Sequence, residues 1–275
     1  MTSQNGSRLA RKLASQTAPS EYDAVAERYE RLVAPRFAIV AARLANIAAL
    51  RPGERVLELG AGTGALSRLI APRLEPEGSL VLLDLSSQML RVAARVLRKA
   101  GHRNVTCVSH DMMALPFADG DFDAVLCHMG YFEESQKAAR EAFRVLRPRG
   151  RIAIAVWGPL TRHREWRLVR RARAAAGVRG QWVPTVGEAM GRLAKAGFVG
   201  LTSREAQFEH QFEGVDAYLE YRQSFPLSVL SSEIARSRYF ATLRRDAQRC
   251  TRQDGSLVIG WTATFIVGRR AASAG

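Results

Sequence analysis

The sequence predicts a doubly wound α/β fold, and three observations lead to this prediction. Residues 56–59 and 79–84 are short apolar runs rich in β-forming residues, and each precedes a segment whose apolar residues recur at helical spacing. A glycine turn, Gly60-Ala61-Gly62-Thr63-Gly64, joins the first strand to its helix. The 275 residues, 47% of them hydrophobic, are enough for one large core. Strands that alternate with helices indicate a mostly parallel sheet with helices on both faces.

The remaining elements follow in order along the chain. Residues 1–20 are polar and predict a flexible tail, after which a helix is expected from Glu21. Ser86 is a suitable N-cap for a helix that ends at Gly101. Apolar periodicity predicts further helices at 37–50, 65–71, 136–146 and 186–196, and further strands at 104–111, 122–127, 152–157, 198–208 and 257–267.

The glycine turn predicts a site for a nucleotide-like ligand, because glycines let backbone N–H groups approach a ligand closely. Gly60, Gly62 and Ala65 also fit the dinucleotide fingerprint, so a dehydrogenase is one alternative. Glu58 places negative charge where a dinucleotide has its pyrophosphate, and it favours a ligand that carries an ammonium group. Asp84 ends the second strand about twenty residues after the turn, where an acid can accept the hydroxyls of a ribose.

With these residues the chain resembles the class I S-adenosylmethionine (SAM) dependent methyltransferases, most closely the small-molecule branch that includes the ubiquinone and menaquinone methyltransferases. Residues 115–126 look like the family signature that leads into the fourth strand. Residues 144–151 look like the turn into the fifth strand, where the family usually has Pro-Gly-Gly and this chain has Arg149 in the middle. The resemblance covers residues 22–158 well. It implies a seven-stranded sheet whose last strand is antiparallel.

The resemblance also implies SAM as the cofactor and assigns roles to individual residues. The glycine turn would lie against the methionine moiety with Glu58 near its ammonium, while Asp84 would bind the ribose and Asp111 the adenine. The predicted cofactor-binding residues are Glu58, Gly60, Ala61, Gly62, Thr63, Gly64, Asp84, Leu85, Met89, Asp111, Met112 and His128.

Three residues are candidates for catalysis. His128 follows the fourth strand at the edge where ligands bind, so it is a candidate general base, against the alternative of a structural histidine. Tyr22 and Tyr29 are seven residues apart and project from the same face of a helix. They would close over the cofactor or, alternatively, pack against the sheet. The sequence contains no zinc motif of the H-E-x-x-H type, and no metal site is predicted.

Two segments, at about residues 159–185 and 213–254, are expected to form helical caps on a single domain that spans residues 21–275. His163 and Trp166 in the first segment are candidates to face the acceptor. Trp157, just before it, would pack in the core or stack on the substrate. In the second segment Tyr218, Tyr221 and Phe225 would complete the cap, with peripheral packing helices as the alternative.

The composition bears on partners and compartment. The formal charge is +15, but four of the 41 basic residues are lysines and the other 37 are arginines, a bias typical of a GC-rich coding sequence. A solvated surface is therefore favoured over RNA binding, and a small-molecule acceptor is expected, with an anionic one favoured by the many arginines. An RNA methyltransferase and a SAM-binding protein with a cyclase or binding role stay as alternatives. The three cysteines are widely spaced, and no apolar run reaches ~20 residues, so a cytoplasmic protein is expected.

Overall fold

The computed structural model describes residues 21–130, 132–178, 185–230 and 232–272. The predicted tail at 1–20 and the end of the first cap segment lie outside these residues. A seven-stranded sheet has the order β3-β2-β1-β4-β5-β7-β6. Its strands are β1 (Arg55–Leu59), β2 (Ser79–Asp84), β3 (Val105–Ser109), β4 (Phe122–His128), β5 (Leu146–Trp157), β6 (Phe198–Phe212) and β7 (Leu257–Arg270). β7 is antiparallel to both of its neighbours, and the pairs among β1 to β5 are parallel. The predicted fold class is confirmed.

Nine α-helices are found among the described residues, and several cover the two faces of the sheet. They are α1 (Ala26–Leu32), α2 (Ala34–Ile47), α3 (Ser67–Leu74), α4 (Ser87–Lys99), α5 (Gln136–Val145), α6 (Arg164–Ala175), α7 (Val186–Ala196), α8 (Val215–Arg222) and α9 (Glu233–Gln248). In the described part of the chain, no helix is both long enough and apolar enough to cross a membrane.

Two cores result because neighbouring residues of a strand point to opposite faces of the sheet. Val56 belongs to the larger core with α2, whereas Leu57 belongs to the second core with α5 and α7. The parallel strands are buried on both faces, which explains their continuous apolar sequences. This arrangement leaves the carboxyl ends of the strands, with the loops that follow them, free to form a site.

Local signals explain several helix ends. The Ser86 hydroxyl accepts a hydrogen bond from the backbone N–H of Met89 at 3.0 Å, so the predicted N-cap of α4 is confirmed. Thr185 and Glu188 form a reciprocal capping box at the start of α7, and Gly197 ends that helix with φ of +105°.

Most boundaries differ from the predictions by a few residues, and three differences have a clear local reason. α3 begins at Ser67 instead of residue 65, because the glycine turn continues through Leu66. The first helix begins with a short 3₁₀ turn at Asp23–Val25, and α1 starts only at Ala26. The predicted turn before the fifth strand is an irregularity within β5, where the register shifts against β4.

Candidate functional site

The glycine turn lies at the carboxyl edge of the parallel strands, directly after β1. Gly60, Gly62 and Gly64 have φ of +62°, +55° and +85°, a region that strains residues with a Cβ. A Cβ on Gly60 would also lie 3.0 Å from the Cα of Gly130, just beyond β4. Glycine is therefore needed here for the backbone conformation and, at Gly60, for space.

Asp84, the last residue of β2, links the glycine turn to this neighbouring strand by hydrogen bonds. Its Oδ2 accepts a hydrogen bond from the N–H of Gly62 at 2.8 Å, and its Oδ1 accepts one from the N–H of Ser86 at 2.8 Å. Burial raises the pKa of the carboxyl, while these two hydrogen bonds oppose the increase. Each carboxylate oxygen can still accept a further hydrogen bond from a ligand.

A cavity of about 640 Å³ lies against the turn and Asp84. We call it the first cavity. It is lined by twelve of the predicted site residues, namely Tyr22, Tyr29, Gly60, Ala61, Gly62, Thr63, Asp84, Leu85, Met89, Asp111, Met112 and His128. Glu58 and Gly64 are not on its wall. The structure thus brings together residues that are separated by up to a hundred positions in the sequence.

Glu58 lies beneath the glycine turn and is only 1% exposed. Its Oε2 accepts a hydrogen bond from the Ser67 hydroxyl at 2.6 Å. Burial raises the pKa of Glu58 to about 8, the negative charge of Asp84 adds to the increase, and the Ser67 hydrogen bond opposes it. The carboxyl is therefore mostly protonated at neutral pH, until a cation approaches it.

The wall beyond β3 combines one acid with apolar side chains. Asp111 is half-buried, and its Oδ1 accepts a hydrogen bond from the N–H of Met113 at 2.8 Å. Leu85, Met89 and Met112 line the same cavity. This combination suits a flat, apolar ring with a polar edge.

His128 is the last residue of β4 and lines the first cavity. Its Nε2 is buried and has no hydrogen-bond partner among the described residues. Burial lowers the pKa of His128 to about 4, so the ring is neutral at physiological pH and only weakly basic. The neutral His128 ring can accept a proton from a ligand in the first cavity, but its low pKa makes this proton transfer unfavourable.

Tyr22 and Tyr29 also line the first cavity, and their rings meet edge to face with centroids 6.0 Å apart. The Tyr29 ring in turn packs edge to face against the Phe225 ring, with the two ring centroids 5.9 Å apart. Asp23 fastens this segment to the start of α4, because its Oδ1 accepts a hydrogen bond from the Ser86 hydroxyl at 2.6 Å. The two tyrosines therefore pack against neighbours and also cover the cavity.

A second cavity of about 410 Å³ adjoins the first, and the two share Glu21, Tyr22 and Glu134 on their walls. Both candidates of the first cap segment, His163 and Trp166, line this second cavity. The remaining residues of its wall are Trp157, Leu160, Glu165, Val169, Arg173, Arg222, Phe225 and Pro226. It is bounded by the end of β5, by α6 and by the chain after α8.

Not all predicted cap residues reach this cavity. Of the three aromatic residues expected to complete the cap, only Phe225 lines the second cavity, whereas Tyr218 and Tyr221 are fully buried and line neither cavity. Trp157 lines the cavity and also packs against Phe37 and Trp261, with ring centroids 5.8 Å and 5.4 Å away.

His163 has a structural contact that limits any role in proton transfer. Its Nε2 accepts a hydrogen bond from the N–H of Thr262 at 3.1 Å and lies 2.6 Å from the Thr262 hydroxyl. Burial lowers the pKa of His163 to about 4. This nitrogen is occupied, so the ring serves to join the cap to β7.

Sequence reasoning did not assign to the site the five charged residues of the second cavity, which are Glu21, Glu134, Glu165, Arg173 and Arg222. None of them lies in a motif, and the chain has many other arginines. Glu165 and Arg222 form a buried ion pair with an N–O distance of 3.1 Å across 57 positions of the sequence. Such a pairing could be found only from the tertiary structure. Within the described ranges, no cluster of three or more His, Cys, Asp or Glu side chains could hold a metal ion.

Comparison with known proteins agrees with this geometry. Residues 56–150 match the family described as "Methyltransferase domain". The ubiquinone/menaquinone biosynthesis C-methyltransferase UbiE of Ectopseudomonas mendocina is 40% identical over 112 residues, which cover 40% of this chain and 44% of that protein. The chain thus matches less than half the length of this curated relative.

Two solved structures extend the likeness of fold to most of the chain. The YcgJ protein of Bacillus subtilis has a TM-score of 0.62 at 18% identity and covers 86% of this chain and 100% of its own. The [4+2]-cyclase SpnF has a TM-score of 0.56 at 20% identity and covers 94% of this chain and 98% of its own. Residues 56–150 thus match a methyltransferase domain, and the chain is similar in sequence over 112 residues to the ubiquinone/menaquinone C-methyltransferase UbiE.

Proposed function

We propose that the chain transfers a methyl group from SAM to a small-molecule acceptor. The observation that carries this proposal is the first cavity, in which the glycine turn and the Asp84 carboxylate face the same space. Two buried polar atoms on its wall, Thr63 Oγ1 and His128 Nε2, have no hydrogen-bond partner among the described residues. A polar ligand in the cavity would satisfy them, so the residues present fit a cofactor of this kind.

The predicted roles of the cofactor-binding residues belong to this proposal. Asp84 would accept hydrogen bonds from the ribose hydroxyls, Asp111 would meet the adenine, and Glu58 would become a carboxylate beside the ammonium of the methionine moiety. SAM supplies an activated methyl group on a sulfonium. The protein then has to hold the acceptor at attack distance, exclude water and accept a proton where one is released.

Proton acceptance has several candidates in the structure. His128, Tyr22 and Tyr29 stay candidates because they line the first cavity. Glu134 joins them because it lies on the walls of both cavities, between the two expected ligands. Partial burial raises the pKa of Glu134, which makes this carboxylate a stronger base.

We favour a small molecule over RNA as the acceptor because the second cavity is lined by side chains and because many arginines are already paired within the chain. Arg95, for example, forms an ion pair with Glu27, and Arg151 forms one with Glu54. Phosphate contacts would make binding fall steeply with salt, so salt-independent turnover would support this choice. The proposal also keeps residues 21–275 as one domain with caps at 159–185 and 213–254. A cytoplasmic location stays part of this proposal.

A non-transferring role is the second candidate, because the fold likeness to the cyclase SpnF covers 94% of this chain. Release of S-adenosylhomocysteine (SAH) in proportion to the consumed acceptor supports methyl transfer. Conversion of the substrate without release of SAH would support the other role.

The first test is calorimetric titration with SAM, SAH and NADH. Asp84→Asn should weaken SAM and SAH binding by roughly tenfold to a hundredfold, because a charged hydrogen bond contributes about 1.5–3 kcal/mol. A matched control is Asp216→Asn, since Asp216 is an acid of α8 that pairs with Arg244 and lines neither cavity. Unchanged SAM affinity in Asp84→Asn would contradict the assignment. Binding of NADH without SAM would favour a dehydrogenase.

A further inference from the structure

The second cavity has the position of an acceptor site. It meets the first cavity at Glu21, Tyr22 and Glu134, so a molecule within it would face the methyl donor across this border. This step rests on the proposed function, because it takes the first cavity as the SAM site.

The charges on the wall of the second cavity are unequally compensated. Arg222 is paired with Glu165 at 3.1 Å, and its guanidinium lies 4.8 Å from the centre of the Phe225 ring. Arg173 is half-buried as a residue, and its guanidinium has no hydrogen-bond or ion-pair partner among the residues described. A half-buried cation without a partner favours an anionic ligand group.

Two acids of the second cavity, Glu21 and Glu134, lie on the border with the first cavity. Arg173 lines only the second cavity. The cavity therefore has acidic groups on the side of the methyl donor and a cation on its own wall. This separation would orient a ligand that carries a negative charge at one end.

The rest of the wall is largely aromatic. Trp157, Trp166 and Phe225 come from β5, from α6 and from the chain after α8, so they enclose the cavity from different elements. Glu165, Val169 and Arg173 follow one another on a single face of α6 at intervals of four residues. At 1.5 Å per residue this face is about 12 Å long, which is comparable to two fused aromatic rings with a substituent.

We propose that the second cavity binds the methyl acceptor, and that this acceptor is a planar aromatic anion whose negative group is held by Arg173. Its opposite end carries the nucleophile, a hydroxyl that faces Glu134 and the sulfonium. As the acceptor oxygen bonds to the methyl carbon, the carbon–sulfur bond breaks and its electron pair stays on sulfur. The hydroxyl proton passes to the Glu134 carboxylate. The products are the methyl ether, SAH and one proton.

Two matched probes test the charge recognition. 6-Hydroxy-2-naphthoate carries a carboxylate at one end and a hydroxyl at the other, and 6-hydroxy-2-naphthamide has the same shape without the charge. Both are titrated into SAH-saturated protein, and binding is followed by calorimetry and by the fluorescence of the cavity tryptophans. The variants are Arg173→Met and, as control, Arg170→Met. Arg170 is an exposed arginine of the same helix that lines neither cavity, so both variants lose the same net charge.

The wild type is expected to bind the acid at least tenfold more tightly than the amide. Arg173→Met should weaken binding of the acid by about tenfold to a hundredfold, the effect of losing a charged hydrogen bond, and leave the amide unchanged. Arg170→Met should behave as the wild type. Equal affinity for acid and amide, no binding of either, or equal losses in the two variants would overturn the proposal.

Turnover provides the second readout. With SAM and the hydroxynaphthoate, the wild type should release SAH, and Glu134→Gln should lower kcat while the affinity for the acid stays the same. A loss in affinity with unchanged kcat would overturn the role of Glu134. SAH titration distinguishes a failure of the acceptor proposal from a failure of the proposed function. If SAH binds to the wild type and to Arg173→Met but the preference for the acid is absent, only the acceptor proposal fails. If SAH does not bind at all, the proposed function fails.

Discussion

Binding of the cofactor should release a proton from Glu58. This carboxyl is 1% exposed, and burial raises its pKa to about 8, so it is protonated in the free protein at pH 7. An ammonium group beside it would favour the carboxylate strongly. Binding of SAH would therefore displace the proton of Glu58 into the solvent.

The size of the effect follows from this pKa. At pH 7 a group with a pKa of about 8 is roughly 90% protonated, and a bound-state pKa near the ordinary value leaves it almost fully ionised. Binding should thus release about 0.9 proton and cost about 1.4 kcal/mol for the ionisation. Because the Glu58 carboxyl of the free protein is mostly protonated below pH 8, raising the pH towards 8 increases its ionised fraction, and less free energy is then needed to ionise it on binding. The affinity should increase by about tenfold between pH 6 and pH 7.

The assay is titration calorimetry of SAH at pH 7 in phosphate and in Tris, whose heats of protonation differ. The difference in the observed heat gives the number of released protons. Adenosine is the matched control ligand, since it has the same ribose and adenine but no ammonium. Any proton released by Asp84 would appear with adenosine too, and only the excess seen with SAH belongs to Glu58.

Glu58→Gln is the matched variant, because its amide oxygen can still accept the hydrogen bond from Ser67. Proton release and the pH dependence of affinity should both disappear in this variant. If the wild type gives the same heat in both buffers, Glu58 does not ionise on binding. If Glu58→Gln releases as many protons as the wild type, another group is responsible.

Three further predictions concern stability, measured as the free energy of unfolding in urea. Arg149 has φ of +66°, and this conformation costs other residues roughly 1–2 kcal/mol but glycine very little. Arg149→Gly should therefore be more stable by up to about 1 kcal/mol, and a loss of stability would contradict this expectation. Burial lowers the pKa of both His163 and His210 to about 4, so between pH 4 and 6.5 the unfolded chain binds more protons than the folded one. Each histidine should contribute a loss of about 2 kcal/mol at pH 5 relative to neutral pH, so His163→Gln and His210→Gln should each lose less stability than the wild type over this pH range by that amount, and an unchanged pH dependence in both variants would refute this. Arg222→Met leaves the carboxyl of Glu165 buried without its cation and should cost about 3–5 kcal/mol, whereas adding Glu165→Met should recover most of the loss. A double variant as unstable as the single one would show that the pair does not act as a unit.

Much of the fold could be predicted from the sequence, because its signals are local. The strand at 79–84 was predicted with the bounds that β2 has, since a short apolar run before an acid contains all the information needed. The N-cap at Ser86 and the stop at Gly197 depend on hydrogen bonds and backbone angles within a few residues. The start of α3 was predicted too early, because helical spacing alone does not reveal how far the glycine turn extends.

The site was predictable where a motif carries it and unpredictable elsewhere. Gly60, Gly62 and Asp84 occur at a recognisable spacing, and the structure places all three on the first cavity. Arg173 and Glu134 have no local signature, since each is one charged residue among many. Their importance comes from what surrounds them, which local sequence patterns do not contain.

The sequence by itself determined the order of strands and helices, the glycine turn and the acid that ends β2, because periodicity, backbone conformation and motif spacing act over short distances. Only the tertiary structure decided which charges meet. The pairing of Glu165 with Arg222 leaves Arg173 as a cation without a partner among the described residues of the second cavity. It also decided that Glu58 is buried, and burial sets its protonation, because the cost of a charge depends on the solvent that the whole fold excludes.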